Sequence, residues 1–117
     1  MKEEQKSRLL EAGIDINNLM DLFLNNTNLI LSCLKDFLAD LNYQALATAL
    51  QIGDCPAAFQ AAHALKGVCG NLSINSLLPL VNRQVESLRQ GDLEAAARIM
   101  PELSAEYDRV VGILRSL

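Results

Sequence analysis

The chain has 117 residues, half of them apolar and only 4% aromatic, and its 14 acidic against 10 basic side chains give a formal charge of −4. That length fits one domain, residues 1–117, large enough to bury about two-thirds of its unfolded surface without staples, and a Leu- and Ala-rich composition favours helices over sheets. The acidic balance, with no basic stripe, excludes a typical nucleic-acid binder, and no run reaches the ~18 apolar residues of a membrane span.

Residues 1–13 read as a lead-in, weakly helical over Glu3–Glu11 and broken by Gly13. Asp15 is a candidate N-cap for a short helix through Leu24, with Ile16, Leu19, Met20 and Phe23 on one side and Asn25-Asn26 as its stop. From Thr27 the positions Ile30, Cys33, Leu34, Phe37, Leu38, Leu41, Ala45 and Ala49 keep helical spacing as far as Ile52. This predicts one helix of about seven turns with a bend near Asn42.

Gly53-Asp54-Cys55-Pro56 combines a stop, a cap and an early proline, so a new helix is predicted from about Cys55 to Leu72. Ser73-Ile74-Asn75-Ser76 supplies caps for the next, and Pro79 fits its first turn if Ser76 is the cap. That helix runs to about Gln90. Gly91-Asp92 repeats the punctuation, after which Leu93, Ala97, Met100, Leu103, Tyr107, Val110 and Leu114 mark one face to the end, with a kink expected at Pro101. Long amphipathic segments with short loops predict an all-α fold, an antiparallel up-down-up-down four-helix bundle with a short additional N-terminal helix.

Cys33, Cys55 and Cys69 are odd in number and lack the close pairing of a zinc or disulfide framework. They read as free thiols in a reducing compartment, with Cys33 and Cys69 buried in helices. The charged start Met1–Lys6 is followed by no apolar core region, so a cytoplasmic protein is expected. One histidine and no Glu-x-x-His pair leave no metal site to propose.

That histidine, His63, carries the most informative context. At about 100° per residue, Lys66, Gly67 and Gly70 fall within about 60° of it, while Ala58, Ala61, Leu65, Val68, Cys69 and Leu72 occupy the other side. Imidazole is a nucleophile at neutral pH, and an ammonium one turn along suits the charge on phosphoryl oxygens. Two glycines inside a helix cost roughly 1 kcal/mol each relative to alanine. Two explanations stay open for them: a visiting molecule approaches this face, or two helices of the protein touch there. Phe59, about 40° from His63 and one turn earlier, is either a partner anchor or a rim residue folded on its neighbours.

The run His63-Ala64-Leu65-Lys66-Gly67, followed by Gly70-Asn71-Leu72, resembles the signature of histidine-containing phosphotransfer (HPt) domains of multistep two-component phosphorelays. The resemblance extends from about Ile14 to Leu117 through Phe37-Leu38-Ala39-Asp40-Leu41 and the Gly53-Asp54 and Gly91-Asp92 turns. It implies a four-helix bundle in which His63 accepts a phosphoryl group from a receiver-domain phospho-aspartate and passes it to another receiver. Lys66 would steady the group, Gly67 would leave room for it, and Gly70 would admit the partner's loop. Gln84 is the candidate for the polar residue that supports the imidazole from the following helix. The expected partners are response-regulator receivers and a hybrid sensor kinase, the chain itself being a monomer without cofactor or autonomous ATP-dependent kinase activity and Mg²⁺ belonging to the receiver. Met1 favours a free-standing shuttle. The competing reading is a receiver-docking adaptor of the same fold that transfers nothing. Val68 and Ser73 depart from the family pattern, which has a small residue and a glycine there.

Overall fold

A computed structural model describes residues 1–117 and contains seven helices and no strand: α1 (Glu3–Glu11), α2 (Ile16–Leu22), α3 (Thr27–Phe37), α4 (Asn42–Ile52), α5 (Cys55–Asn71), α6 (Leu78–Arg89) and α7 (Leu93–Arg115). The all-α expectation holds. No helix is long and apolar enough to cross a membrane. The molecule measures 43 × 23 × 21 Å, and its long dimension accommodates α7, which at about 1.5 Å per residue is the longest rod in the chain.

The core arises from one apolar stripe per helix. Helix α4 packs on α5, α5 on α6 and α6 on α7, and α4 also meets α7, so the four close into a ring. Leu46, Leu65, Val81, Val85, Leu103 and Val110 are fully buried inside it, each such side chain contributing roughly 2 kcal/mol by leaving water. At the stacked pair Tyr43–Tyr107 (centroids 3.9 Å apart, 10° between planes) the start of α4 meets the second half of α7, and the Tyr43 hydroxyl bonds to that of Ser104.

A side chain caps four helix starts, three of them, at Asp15, Asp54 and Asp92, as the sequence predicts. The carboxylate of Asp15 accepts from the Asn18 amide at 3.0 Å, Asn26 from Leu29 at 3.1 Å, Asp54 from Ala57 at 3.1 Å and Asp92 from Ala95 at 3.0 Å. Each satisfies one of the donors a helix start leaves free.

Two expectations need correction. The single helix predicted from Thr27 to Ile52 is two, because the Asp40 carboxylate accepts both the backbone N–H of Asn42 (2.9 Å) and its side-chain amide (3.1 Å). That takes the donor which a continuous helix needs, and the turn before it tightens into Leu38→Lys35, Ala39→Asp36 and Asp40→Phe37 bonds. Ser76 is not the cap of α6: Leu77 holds that position without a side-chain bond, and the Ser76 hydroxyl donates to the Ala12 carbonyl at 2.7 Å. Pro79 still sits in the first turn. Pro101 lies inside α7, which extends on both sides of it.

Nor is the N-terminal stretch a mere lead-in. Helix α1 buries Leu9 completely, as the turn after it does Ala12, and Arg109 of α7 donates to the Glu11 carbonyl at 2.7 Å. Gly13, at φ +76°, lets the chain bend back onto the α5–α6 loop. Its carbonyl accepts from the Asn75 amide at 2.9 Å, and the Asp15 amide donates to the Ser73 carbonyl at 3.0 Å. Ser73 adopts the left-handed φ of +51° that a glycine would reach without strain, and its hydroxyl accepts from the Asn18 amide at 2.8 Å. The departure at Ser73 therefore keeps the turn and adds a bond that glycine would lack.

Candidate functional site

Helix α5 has the predicted bounds within a residue, set by Gly53 and the Asp54 cap at one end and by the Ser73 turn at the other. Ala58, Ala61, Ala62, Leu65 and Cys69 are buried, whereas His63, Ala64, Lys66, Gly67 and Gly70 are exposed. The periodicity thus divides the helix as the sequence predicts, with small alanines against its neighbours and the imidazole in water.

His63 takes part in none of the side-chain hydrogen bonds, which leaves its ring nitrogens open to reaction. Lys66 is likewise in none of the ion pairs. Lys66 and His63 thus share one exposed side of α5, and neither has a hydrogen-bond or ion-pair partner within the chain. A Cβ built on Gly67 or Gly70 would have no neighbour within 4 Å. This removes one of the two explanations of the glycines: no second helix of the chain touches them, and the missing side chains leave open surface on the His63 side of α5.

Phe59 is half-buried and its ring lies 5.9 Å from that of His63 at 40°. Over the same phenyl ring stands the guanidinium of Arg89, 5.7 Å from its centroid, a contact worth about 0.5–1 kcal/mol at an exposed site. Arg89 is itself 3.6 Å from the Glu86 carboxylate. The Cys55 thiol, 3.6 Å from the Leu88 carbonyl, gives the same pairing of the start of α5 with the end of α6.

Gln84 is not brought to the imidazole. It is fully buried with Val81, Val85 and Leu88, and its amide donates to the Ala96 carbonyl of α7 at 2.9 Å. Its Oε1 has no partner. Its place on the inner face of α6, which also binds Val81 and Leu88, commits the amide to the core.

Sequence reading missed Arg89. Folding α5 against α6 about their loop puts the last turn of α6 near Phe59, but the register that turns Arg89 outward depends on the packing. Val68 is half-buried and lines an open cleft with Phe23, Cys33, Asp36, Asn71 and Leu72, in keeping with a packing rather than a chemical role.

No three His, Cys, Asp or Glu side chains converge as a metal-binding group. All three cysteines are free; Cys69 is buried, but Cys33, expected to be so, is only partly covered. Burial, and secondarily the charge of Asp40, pushes the Cys69 thiol up to about 12, so it is an inert core group. Burial also raises the Tyr107 phenol, again with Asp40 next in weight.

Comparison with known proteins adds one match: the sequence model of the Hpt domain family aligns with residues 30–112. No curated protein and no solved structure matches the chain.

Proposed function

Because this chain belongs to the Hpt domain family, and so to the histidine phosphotransfer of two-component systems, we propose that it is a phosphorelay intermediate accepting a phosphoryl group on His63 from one receiver domain and delivering it to another. The observation that carries this reading is the surface of α5, where an unbonded, exposed imidazole stands with an unpaired Lys66 and with open space over Gly67 and Gly70. In the transfer, an imidazole nitrogen attacks phosphorus in line, the new N–P bond forms, the acyl P–O bond breaks, and the receiver's aspartate leaves as carboxylate. Lys66 stabilises the charge that spreads over the equatorial oxygens. The open glycine positions allow the approach that in-line geometry requires. Passing the group on reverses these steps.

Metal and acid chemistry belong to the receiver in this reading, and the chain works without a cofactor, as a cytoplasmic monomer. The one domain is 1–117, and its bundle is antiparallel up-down-up-down over α4–α7. That direction is supported by Cys55 against Leu88, Gln84 against Ala96 and Tyr43 against Ser104. Helices α1 to α3 close one end and flank.

Incubating the chain with an aspartate-phosphorylated receiver should place acid-labile, base-stable label on it, and His63→Gln should remove all of it. Persistence of label on His63→Gln would overturn the assignment. Receiver binding without any phosphoramidate would support the docking adaptor instead.

A further inference from the structure

On the reading that His63 is the phosphorylated residue, we infer that Phe59 is a positioning residue for its imidazole, and that Arg89 of α6 fixes Phe59. An exposed imidazole turns about two side-chain bonds, yet in-line attack needs one of its nitrogens held on a single line toward phosphorus. A hydrogen bond from a neighbour would usually do this, and His63 has none; Gln84, the residue of α6 expected to give one, is spent on the Ala96 carbonyl inside the core. The aromatic ring of Phe59 is what lies against the imidazole, at 5.9 Å and 40°.

Phe59 can serve because it is itself restrained. It is half-buried and packs on the core, so its ring does not sweep freely. From the other helix, the Arg89 guanidinium covers it at 5.7 Å, and Glu86 holds the guanidinium at 3.6 Å. The sequence Glu86, Arg89, Phe59, His63 is thus a run of contacts from α6 across to the reactive ring of α5. A neighbouring aromatic ring limits the rotation of the imidazole while hydrogen-bonding to neither of its nitrogens, so one remains for attack and the other for its proton. A hydrogen-bonding neighbour would occupy one of the two. The same ring could instead anchor a docking partner, and the two roles separate by donor size. Positioning acts on any phosphoryl donor, whereas docking acts only when the receiver is present.

The experiment uses the full chain with two donors, phosphoramidate and an aspartate-phosphorylated receiver, and compares wild type with Phe59→Ala, Phe59→Leu, Phe59→Tyr and Arg89→Ala. Phe59→Leu keeps apolar bulk without a ring, so it separates loss of positioning from loss of fold, and thermal unfolding is recorded for each. Labelling should slow about tenfold in Phe59→Ala and Phe59→Leu with both donors, recover in Phe59→Tyr, and slow by a smaller factor in Arg89→Ala. His63 is the only histidine in the chain, so its ring protons are read directly by NMR. They should be displaced by the Phe59 ring current in wild type and return to the values of a free imidazole in Phe59→Leu.

Slowing with the receiver alone would make Phe59 a docking anchor and overturn the inference. Unchanged rates with both donors in Phe59→Leu would overturn it as well. In either case label that depends on His63 leaves the relay reading intact, whereas a wild-type chain that neither donor labels would remove that reading and this inference together.

Discussion

Gly13 and Gly67 are the same residue type in opposite surroundings. A Cβ on Gly13 would lie 2.4 Å from that of Ser76, and its backbone is left-handed at φ +76°; a Cβ on Gly67 would meet nothing within 4 Å. Around Gly13 the chain is densely hydrogen-bonded. Ser76 donates to Ala12, Asn75 donates to the Gly13 carbonyl, and Asp15 donates to Ser73, so the N-terminal segment is stitched to the α5–α6 loop. Around Gly67 the side chains are unbonded and face water. A missing side chain is required by the fold in the first place and leaves open surface in the second, where the proposed transfer needs it, and the difference lies in what surrounds the residue.

The contrast breaks most visibly at Gly67. Gly67→Trp should abolish transfer from a receiver, by at least about a hundredfold, while the unfolding temperature hardly moves. A large stability loss there would mean that the open face is packed after all. Gly13→Ala should do the reverse, lowering unfolding free energy by about 3 kcal/mol in denaturant titration through backbone strain and the Ser76 overlap. The same change at Gly67 should raise stability by about 1 kcal/mol, since alanine is the better helix former where there is room. If both alanine variants shift stability in the same direction, the comparison fails. A smaller effect on transfer than at Gly67 is expected at Lys66, where Lys66→Ala should slow it about tenfold, equivalent to about 1.4 kcal/mol of transition-state charge stabilisation. Single-turnover rates measure it, and wild-type rates would remove the role given to its ammonium.

The helix starts capped by Asp15, Asp54 and Asp92 were legible because a cap is a local bond between residues three apart. So was the exposure of His63, since periodicity assigns faces without knowing the neighbours. The break at Asp40 was not. Its carboxylate competes with the helix for the Asn42 amide, and an aspartate in an apolar-periodic run looks like any solvated helix residue. Gln84 was misplaced for a related reason: its place on the helix after α5 was legible, but the face of α6 it shares with Val81 and Leu88 is the buried one. Arg89 was invisible as a neighbour of Phe59 because the chain between them, residues 60–88, had first to fold back.

By itself, the sequence determined a helical chain with a histidine, a lysine and two glycines on one face of a helix, since those facts depend only on the residues and the helical repeat. Only the tertiary structure decided that nothing packs against those glycines, that Lys66 has no carboxylate partner, that Phe59 rests between His63 and Arg89, and that the N-terminal segment is bound to the α5–α6 loop. Each of these is a relation between surfaces of different elements, set by the register in which helices pack. A one-dimensional pattern fixes the direction of a side chain from its own helix and leaves open what it meets.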